Sequence, residues 1–202
     1  KPQLSGARKV VISPLANEYP LIHYNWVQDN IKKVDQASNG RIGYIYIPDM
    51  GPEGLNEFAR YFYPQLDKEG LIIDDRANGG GNVSPMILER LSREPYRLTM
   101  GRGTSHVGTV PDAVQVGPKV CLINKYSASD GDLFPWGFRA LGLGKLIGTR
   151  TWGGIVGISG SLPYMDGTDI RVPFFTSYDP KTGKWIIENH GVDPDILIDN
   201  DP

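Results

Sequence analysis

The sequence predicts an α/β domain with a buried sheet and helices on its faces. Strand-like and helix-like segments alternate from residue 24 to residue 148, which is the pattern of βαβ units. The strand-like runs 70–74 and 119–123 are apolar almost throughout, as expected of strands that are covered on both faces. With 202 residues, the chain is long enough to bury a core of its own.

The first half of the chain contains one predicted strand, helix, strand unit. Apolar residues at helical spacing precede it, and Asn39 and Gly40 end that helix. The predicted elements are a strand at 10–12, a helix at 24–34, a strand at 42–47, a helix at 54–66 and a strand at 70–74.

The second half repeats this alternation and then changes in character. The predicted elements are a helix at 84–91, a strand at 119–123, a helix at 130–141 and a strand at 145–148. Residues 93–118 show no clean periodicity, and loops of this length in compact domains are often functional. After residue 157, turn residues separate short β-like pieces, which predicts hairpins beside the main sheet at 158–164, 169–175 and 185–187.

Composition argues against several classes of partner. The net charge is −2 and the 21 basic residues are spread along the chain, so we expect neither nucleic acid nor membrane as a partner. No apolar run approaches the roughly 18 residues of a membrane span, and no signal-peptide pattern follows Lys1.

The three histidines and Cys121 are scattered, so we expect no metal and no other cofactor. Cys121 lies in an apolar run and should be buried.

The segment 124–132 is the first candidate for chemistry. It joins a predicted buried strand to a predicted helix through small residues, which would place Ser129 at a strand-to-helix elbow. The hydroxyl would then face outward beside free helical N–H groups, which suits an oxyanion. The alternative, which position alone favours, is that Ser127 and Ser129 only cap a helix whose first turn holds Asp130 and Asp132.

A glycine-rich segment, 74–82, follows the other buried strand. Its three consecutive glycines, Gly79 to Gly81, let the backbone approach a ligand and turn N–H groups toward a negative atom. The segment contains neither a dinucleotide-binding fingerprint nor a P-loop. It is therefore either a flexible turn or the source of a second oxyanion donor.

These motifs together resemble the tail-specific, or carboxy-terminal processing, serine peptidase family. That family has the same motifs in the same order: Asp-x-Arg-x-Asn-x-Gly-Gly at 74–81, Asn-x-x-Ser-x-Ser at 124–129 and Gly-x-x-Thr-x-Gly at 148–153. Within the family, the tricorn-like branch is the most similar, through segments 126–132, 148–154 and 188–195. The likeness runs from about Tyr24 to the end of the chain.

The resemblance implies a role for each matched residue. Ser129 would be the nucleophile of a serine endopeptidase that forms an acyl-enzyme with peptides. The oxyanion hole would consist of the backbone N–H groups of Asp130 and of one glycine of the pair Gly80 and Gly81. Glu188 would be the acidic member that orients the catalytic groups. Taken alone, Glu188 is better interpreted as a solvated turn acid.

The general base is not evident in this chain. Family members of the lysine type carry Thr-x-Gly-Lys-Gly, and here Gly154 replaces the lysine. Tricorn-like enzymes use a histidine from a segment upstream of a PDZ-like domain. His106 follows a serine but lies on the wrong side of Ser129 in chain order, and His23 and His190 are expected to be structural or solvated. We therefore expect the base to come from an upstream segment, with His106 as the alternative.

The resemblance also implies an architecture. The expected fold is a crotonase/ClpP-like mixed sheet of ββα units with flanking helices and C-terminal β hairpins. Residues 1–23 would be the remnant of a preceding PDZ-like domain and its linker, and residues 24–202 would be the peptidase core. The substrates would be peptides, the full-length protein would be a homo-oligomer, and the isolated core would be inactive or nearly so. The compartment stays open: the cytoplasm is favoured, with the periplasm or secretion as the alternative if a signal sequence was removed.

Two other functions stay open. A non-catalytic peptide-binding module of the same fold would account for the missing histidine. An acyl-CoA enzyme of the crotonase fold would share an oxyanion hole without needing an elbow serine. Active-site labelling of Ser129 distinguishes the first from a peptidase, and tight binding of coenzyme A would indicate the second.

Overall fold

The computed structural model describes residue 6, residues 8–160 and residues 163–199. Helices and strands alternate along the chain. The elements are α1 (Tyr19–Ala37), β1 (Ile42–Tyr46), α2 (Pro52–Phe62), a 3-10 turn (Tyr63–Gln65), β2 (Gly70–Asp74), α3 (Ser84–Leu91), β3 (Arg97–Met100), β4 (Val107–Val110), β5 (Lys119–Ile123), α4 (Asp130–Ala140), β6 (Gly144–Gly148), β7 (Gly157–Gly160), β8 (Arg171–Phe175) and β9 (Ile196–Leu197).

The centre of the fold is a five-stranded sheet in the order β1, β2, β5, β6, β9. All its pairings are parallel, so the carboxyl ends of the strands lie along one edge. Antiparallel pairing is found in two separate hairpins, β3–β4 and β7–β8. The predicted α/β class is confirmed, and the apolar runs of β2 and β5 are interior strands as their composition indicated.

The core lies mainly on one face of this sheet. Ile73 of β2 and Ile123 of β5 pack there with buried aromatic and aliphatic side chains of α2, α3 and α4, among them Phe58, Phe62, Ile87, Phe134 and Phe138. Burial of a side chain of this size stabilises the fold by about 1.5–3 kcal/mol. Because α4 contributes two buried phenylalanines, its N-terminus is held firmly at the carboxyl edge of the sheet.

Helix α1 covers part of the opposite face through Val27, which packs near Tyr44 and Tyr46 of β1. It begins earlier than predicted, with Pro20 in its first turn, a position that proline favours. The sequence pattern missed this start because the first residues of α1 are exposed. Within the described residues, no helix combines the length and the apolar character that crossing a membrane requires.

Two local predictions were wrong, and a hairpin forms in a segment for which no element was predicted. Residues 10–12 form no strand; they are 65–83% exposed and lack a partner strand among the described residues. The hairpin β3–β4 lies within 93–118, where no periodicity was found, because β3 is exposed on both faces. Of residues 185–187, only Trp185 pairs, in an isolated bridge with Tyr178.

Candidate active site

Ser129 lies directly between β5 and α4, at the carboxyl edge of the sheet. Its backbone has φ 56° and ψ −120°, a left-handed φ that residues other than glycine seldom adopt. A conformation of this kind costs about 1–3 kcal/mol and persists only where the surroundings enforce it. The residue is exposed, and its side chain makes no capping hydrogen bond to α4. The structure therefore contains the predicted elbow and contradicts the helix-cap interpretation of Ser129.

Hydrogen bonds on both sides hold this elbow. The N–H of Ala128 donates to the carbonyl of Asn78 at 2.9 Å, and the N–H of Ser129 donates to the carbonyl of Gly154 at 3.1 Å. The buried hydroxyl of Ser127 donates to the carbonyl of Asp75 at 2.8 Å, so it does not cap the helix either. Together these bonds tie the elbow to the glycine-rich segment and to the loop after β6.

The glycine-rich segment lies directly against Ser129. A methyl group placed at Gly80 would come within 2.6 Å of Ser129 Cβ and 2.9 Å of the Asp130 nitrogen. Gly80 also has φ +95°, which disfavours any side chain. A Cβ at Gly131 would lie 2.4 Å from the carbonyl oxygen of Asn78. The two segments can approach this closely only because both contact positions lack side chains.

One unpaired backbone donor directly follows the serine in the chain, and another lies in the glycine-rich segment. In the part of the chain that the structure describes, the N–H groups of Asp130 and Gly81 have no hydrogen-bond acceptor. The N–H of Gly80 is engaged, because it donates to Oδ1 of Asn78 at 2.9 Å. Asp130 is also the first residue of α4, where the partial positive charge of the helix favours a developing anion.

The two acids in the first turn of α4 bind backbone groups. The buried carboxylate of Asp130 accepts hydrogen bonds from the N–H and the hydroxyl of Ser84, at 2.9 and 2.5 Å, and so joins α4 to the start of α3. The buried carboxylate of Asp132 accepts from the N–H groups of Gly153 and Gly154, at 2.8 and 3.2 Å. Asp132 thus fixes the same loop whose carbonyl receives the Ser129 N–H.

Glu188 is half-buried and binds the next residues of that loop. Its Oε2 accepts hydrogen bonds from the N–H groups of Ile155, at 2.6 Å, and Val156, at 2.9 Å. It is therefore not the freely solvated turn acid that its sequence position alone suggested. Glu188 therefore holds the loop whose Gly154 carbonyl accepts the Ser129 N–H.

None of the three histidines is hydrogen-bonded to Ser129 among the described residues. His106 is exposed in the β3–β4 hairpin, where its backbone N–H donates to the Thr104 hydroxyl. His23 stacks near Trp26. The ring of His190 pairs with the Asp193 carboxylate at 2.9 Å.

A buried carboxyl lies beneath the elbow. Asp75 is fully buried, and neither side-chain oxygen has a hydrogen-bond partner among the described residues. Burial, followed by the nearby charges of Asp74 and Asp132, raises its pKa well above the ordinary value. Asp74, by contrast, is ion-paired with Arg76 at 2.6 Å and accepts the Tyr44 hydroxyl at 2.6 Å. Burial therefore favours the neutral form of the Asp75 carboxyl.

Sequence reasoning missed the structural importance of two residues. Asn78 and Asp132 are both fully buried and carry several of the bonds described above. A signal was present, since Asn78 belongs to the glycine-rich motif and Asp132 to the first turn of a predicted helix. Neither pattern identifies the acceptor or donor that the side chain reaches.

The five-stranded parallel sheet with a serine elbow at its carboxyl edge defines an α/β domain, and comparisons with known proteins identify its family. Residues 41–198 match peptidase family S41. The chain belongs to this family.

Relatives within the family are close in sequence. The chain is 43% identical over 201 residues to the tricorn protease of Thermoplasma volcanium. The aligned region covers 98% of this chain and 19% of the relative. The chain therefore spans about a fifth of that protein's length. It also matches the crystal structure of the tricorn protease with a TM-score of 0.88 and 42% identity, over 95% of this chain and 19% of that one. The photosystem II D1 C-terminal processing protease shares the fold, with a TM-score of 0.56 and 21% identity over 78% of this chain and 42% of that one.

Proposed function

We propose that this chain supplies the nucleophile and the oxyanion hole of a serine endopeptidase. The general base takes the proton of the Ser129 hydroxyl as its oxygen attacks the carbonyl carbon of a peptide bond, and it then gives that proton to the leaving amine. Water then hydrolyses the acyl-enzyme and restores the serine. The observation that carries this proposal is the strained, exposed elbow at Ser129 with the unpaired Asp130 N–H beside it.

The oxyanion hole would consist of the N–H of Asp130 and of one glycine. Of the pair Gly80 and Gly81, the hydrogen bonds favour Gly81, because the N–H of Gly80 is held by Asn78. Loss of one such donor typically lowers turnover by roughly 100 to 1,000-fold.

Glu188 would act through the loop that it holds, and the general base would come from a segment upstream of Lys1. The absence of a histidine hydrogen-bonded to Ser129 in the described chain supports this second point. The chain would then need that upstream segment for activity, and peptides would be its substrates. The assignment of residues 1–23 to a preceding PDZ-like domain and the homo-oligomeric state are proposals of the same kind.

Labelling with a fluorophosphonate tests the proposal. Full-length protein and its Ser129→Ala variant are treated with the probe, and the adduct is located by peptide mass spectrometry. We expect one adduct, on Ser129, with hydrolysis of a peptide library lost in the variant. A protein that binds peptides without forming a Ser129 adduct would instead be a non-catalytic module.

A further inference from the structure

Asn78 occupies an unusual position between the two halves of the site. It is fully buried in the turn after β2. Its side-chain Nδ2 donates to the carbonyl of Ile47, just after β1, at 3.1 Å. Its Oδ1 accepts the N–H of Gly80 at 2.9 Å. The amide therefore uses a donor and an acceptor at once, and it fixes the glycine-rich turn to the end of the neighbouring strand.

The main chain of the same residue holds the serine elbow. The carbonyl of Asn78 accepts the N–H of Ala128 at 2.9 Å, directly before Ser129. The lack of a side chain at Gly131 lets the first turn of α4 approach this carbonyl. One residue thus sets the position of the glycine loop and of the nucleophile relative to each other.

The side chain of Asn78 also engages one of the two candidate glycine donors. It holds the Gly80 N–H, and Gly80 lies against Ser129 and the Asp130 nitrogen. Without the amide, the Gly80 N–H and the Ile47 carbonyl would both lose a buried partner, and the turn would move to satisfy them. A small shift in this turn changes the alignment of an oxyanion donor with the serine, and such alignment governs turnover.

We propose that Asn78 is a positioning residue that sets the oxyanion side of the site through its side-chain amide. The inference rests on the proposed function, since it assigns Asn78 a role in that reaction. Asn78 need not touch the substrate. Its amide acts through the Gly80 N–H on one side and the Ile47 carbonyl on the other.

The test compares steady-state kinetics of full-length protein with those of the Asn78→Ala variant. A positioning role predicts that kcat falls about 100-fold, while KM changes by no more than about 3-fold, because the donors bind the transition state more tightly than the substrate. Gln115→Ala is a matched control: Gln115 is 2% exposed, and its amide donates to the Lys68 carbonyl at 2.9 Å before β2, away from the carboxyl edge. We expect that variant to keep its kcat. Equal kcat losses in the two variants would overturn the proposal.

A second variant covers the case in which Asn78→Ala does not fold. Asn78→Asp retains the acceptor for Gly80 but, when ionised, offers no donor to the Ile47 carbonyl. We expect its kcat to lie between those of the wild type and the alanine variant, and a wild-type kcat would contradict the proposal. Fluorophosphonate labelling separates the two levels of inference. Failure to label wild-type Ser129 rejects the proposed function, whereas labelling of Asn78→Ala or Asn78→Asp at the wild-type rate rejects only the role of Asn78.

Discussion

Ser129 and Glu188 are joined through a single peptide group. The N–H of Ser129 donates to the carbonyl of Gly154 at 3.1 Å, and the N–H of Ile155 donates to the Glu188 carboxylate at 2.6 Å. The carbonyl of Gly154 and the N–H of Ile155 belong to the same planar amide. Hydrogen bonds at its two ends polarise each other, so the carboxylate strengthens the bond that holds the serine backbone.

The Glu188→Ala variant should lose activity. The variant leaves the N–H groups of Ile155 and Val156 without their carboxylate, and a hydrogen bond to a charged group contributes about 1.5–3 kcal/mol. We expect kcat/KM to fall about 10 to 100-fold in a peptide-hydrolysis assay of the full-length protein. Glu188→Gln, which keeps an acceptor oxygen, should lose less. Removing the exposed acid Glu89 should have no effect, and equal losses in the Glu89 and Glu188 variants would contradict this account.

Adjacent glycines offer a matched pair of substitutions. Gly80→Ala places a methyl group 2.6 Å from Ser129 Cβ at φ +95°, so it should lower activity by 100-fold or more and destabilise the fold by about 1–2 kcal/mol from the backbone alone. Gly79→Ala meets no heavy atom within 4 Å and should behave as the wild type. Labelling rates and urea denaturation measure the two effects. Similar behaviour of both variants would show that the contact with Ser129 is unimportant.

The sequence predicted the elements with strong periodicity and the elbow motif, because both depend on local pattern. It placed β2, α3 and β5 correctly, since continuous apolar runs and helical spacing are local signals. It missed β9, a strand of two residues that pairs with β6 after a separation of about fifty residues. The hydrogen bond from the Asn78 side chain to Ile47 was missed for a related reason, because its partner is a distant backbone group that no spacing rule identifies.

The single cysteine should be unreactive in the folded protein. Cys121 is fully buried, and this burial raises the pKa of its thiol. We expect a thiol reagent such as DTNB to give no signal in native buffer and one equivalent in guanidinium chloride. Since this chain has one cysteine, the signal has one source. Rapid reaction in native buffer would show that β5 opens readily.

The His106→Ala variant tests the origin of the general base. Because His106 is exposed in the β3–β4 hairpin and its ring has no hydrogen bond to Ser129 in the described structure, we expect kcat to stay within about twofold of the wild type. General-base catalysis typically contributes 10² to 10⁴-fold. A loss of that size in peptide hydrolysis would place the base in this chain and reject an upstream origin.

The buried carboxyl of Asp75 should make stability depend on pH. Its pKa is raised in the folded protein, while in the unfolded chain it ionises near the ordinary value of 3.8. Above that value, only the unfolded chain releases the proton, so stability falls as pH rises until the folded pKa is reached. Asp75→Asn removes this contribution, because the amide does not titrate. The difference in unfolding free energy between variant and wild type should therefore shift in favour of the variant by up to about 1.4 kcal/mol per pH unit above pH 4.

Urea denaturation of both proteins between pH 4 and pH 8 measures this difference directly. The contributions of all other ionisable groups cancel in the subtraction to the extent that the substitution leaves them unchanged. Asp112→Asn, at an exposed acid, should show no such trend. A difference that stays constant from pH 4 to pH 8 would mean that Asp75 ionises equally in both states. The folded protein would then have to supply a hydrogen-bonding or charged partner for the Asp75 carboxylate, because an ionised group without one would not persist in this interior.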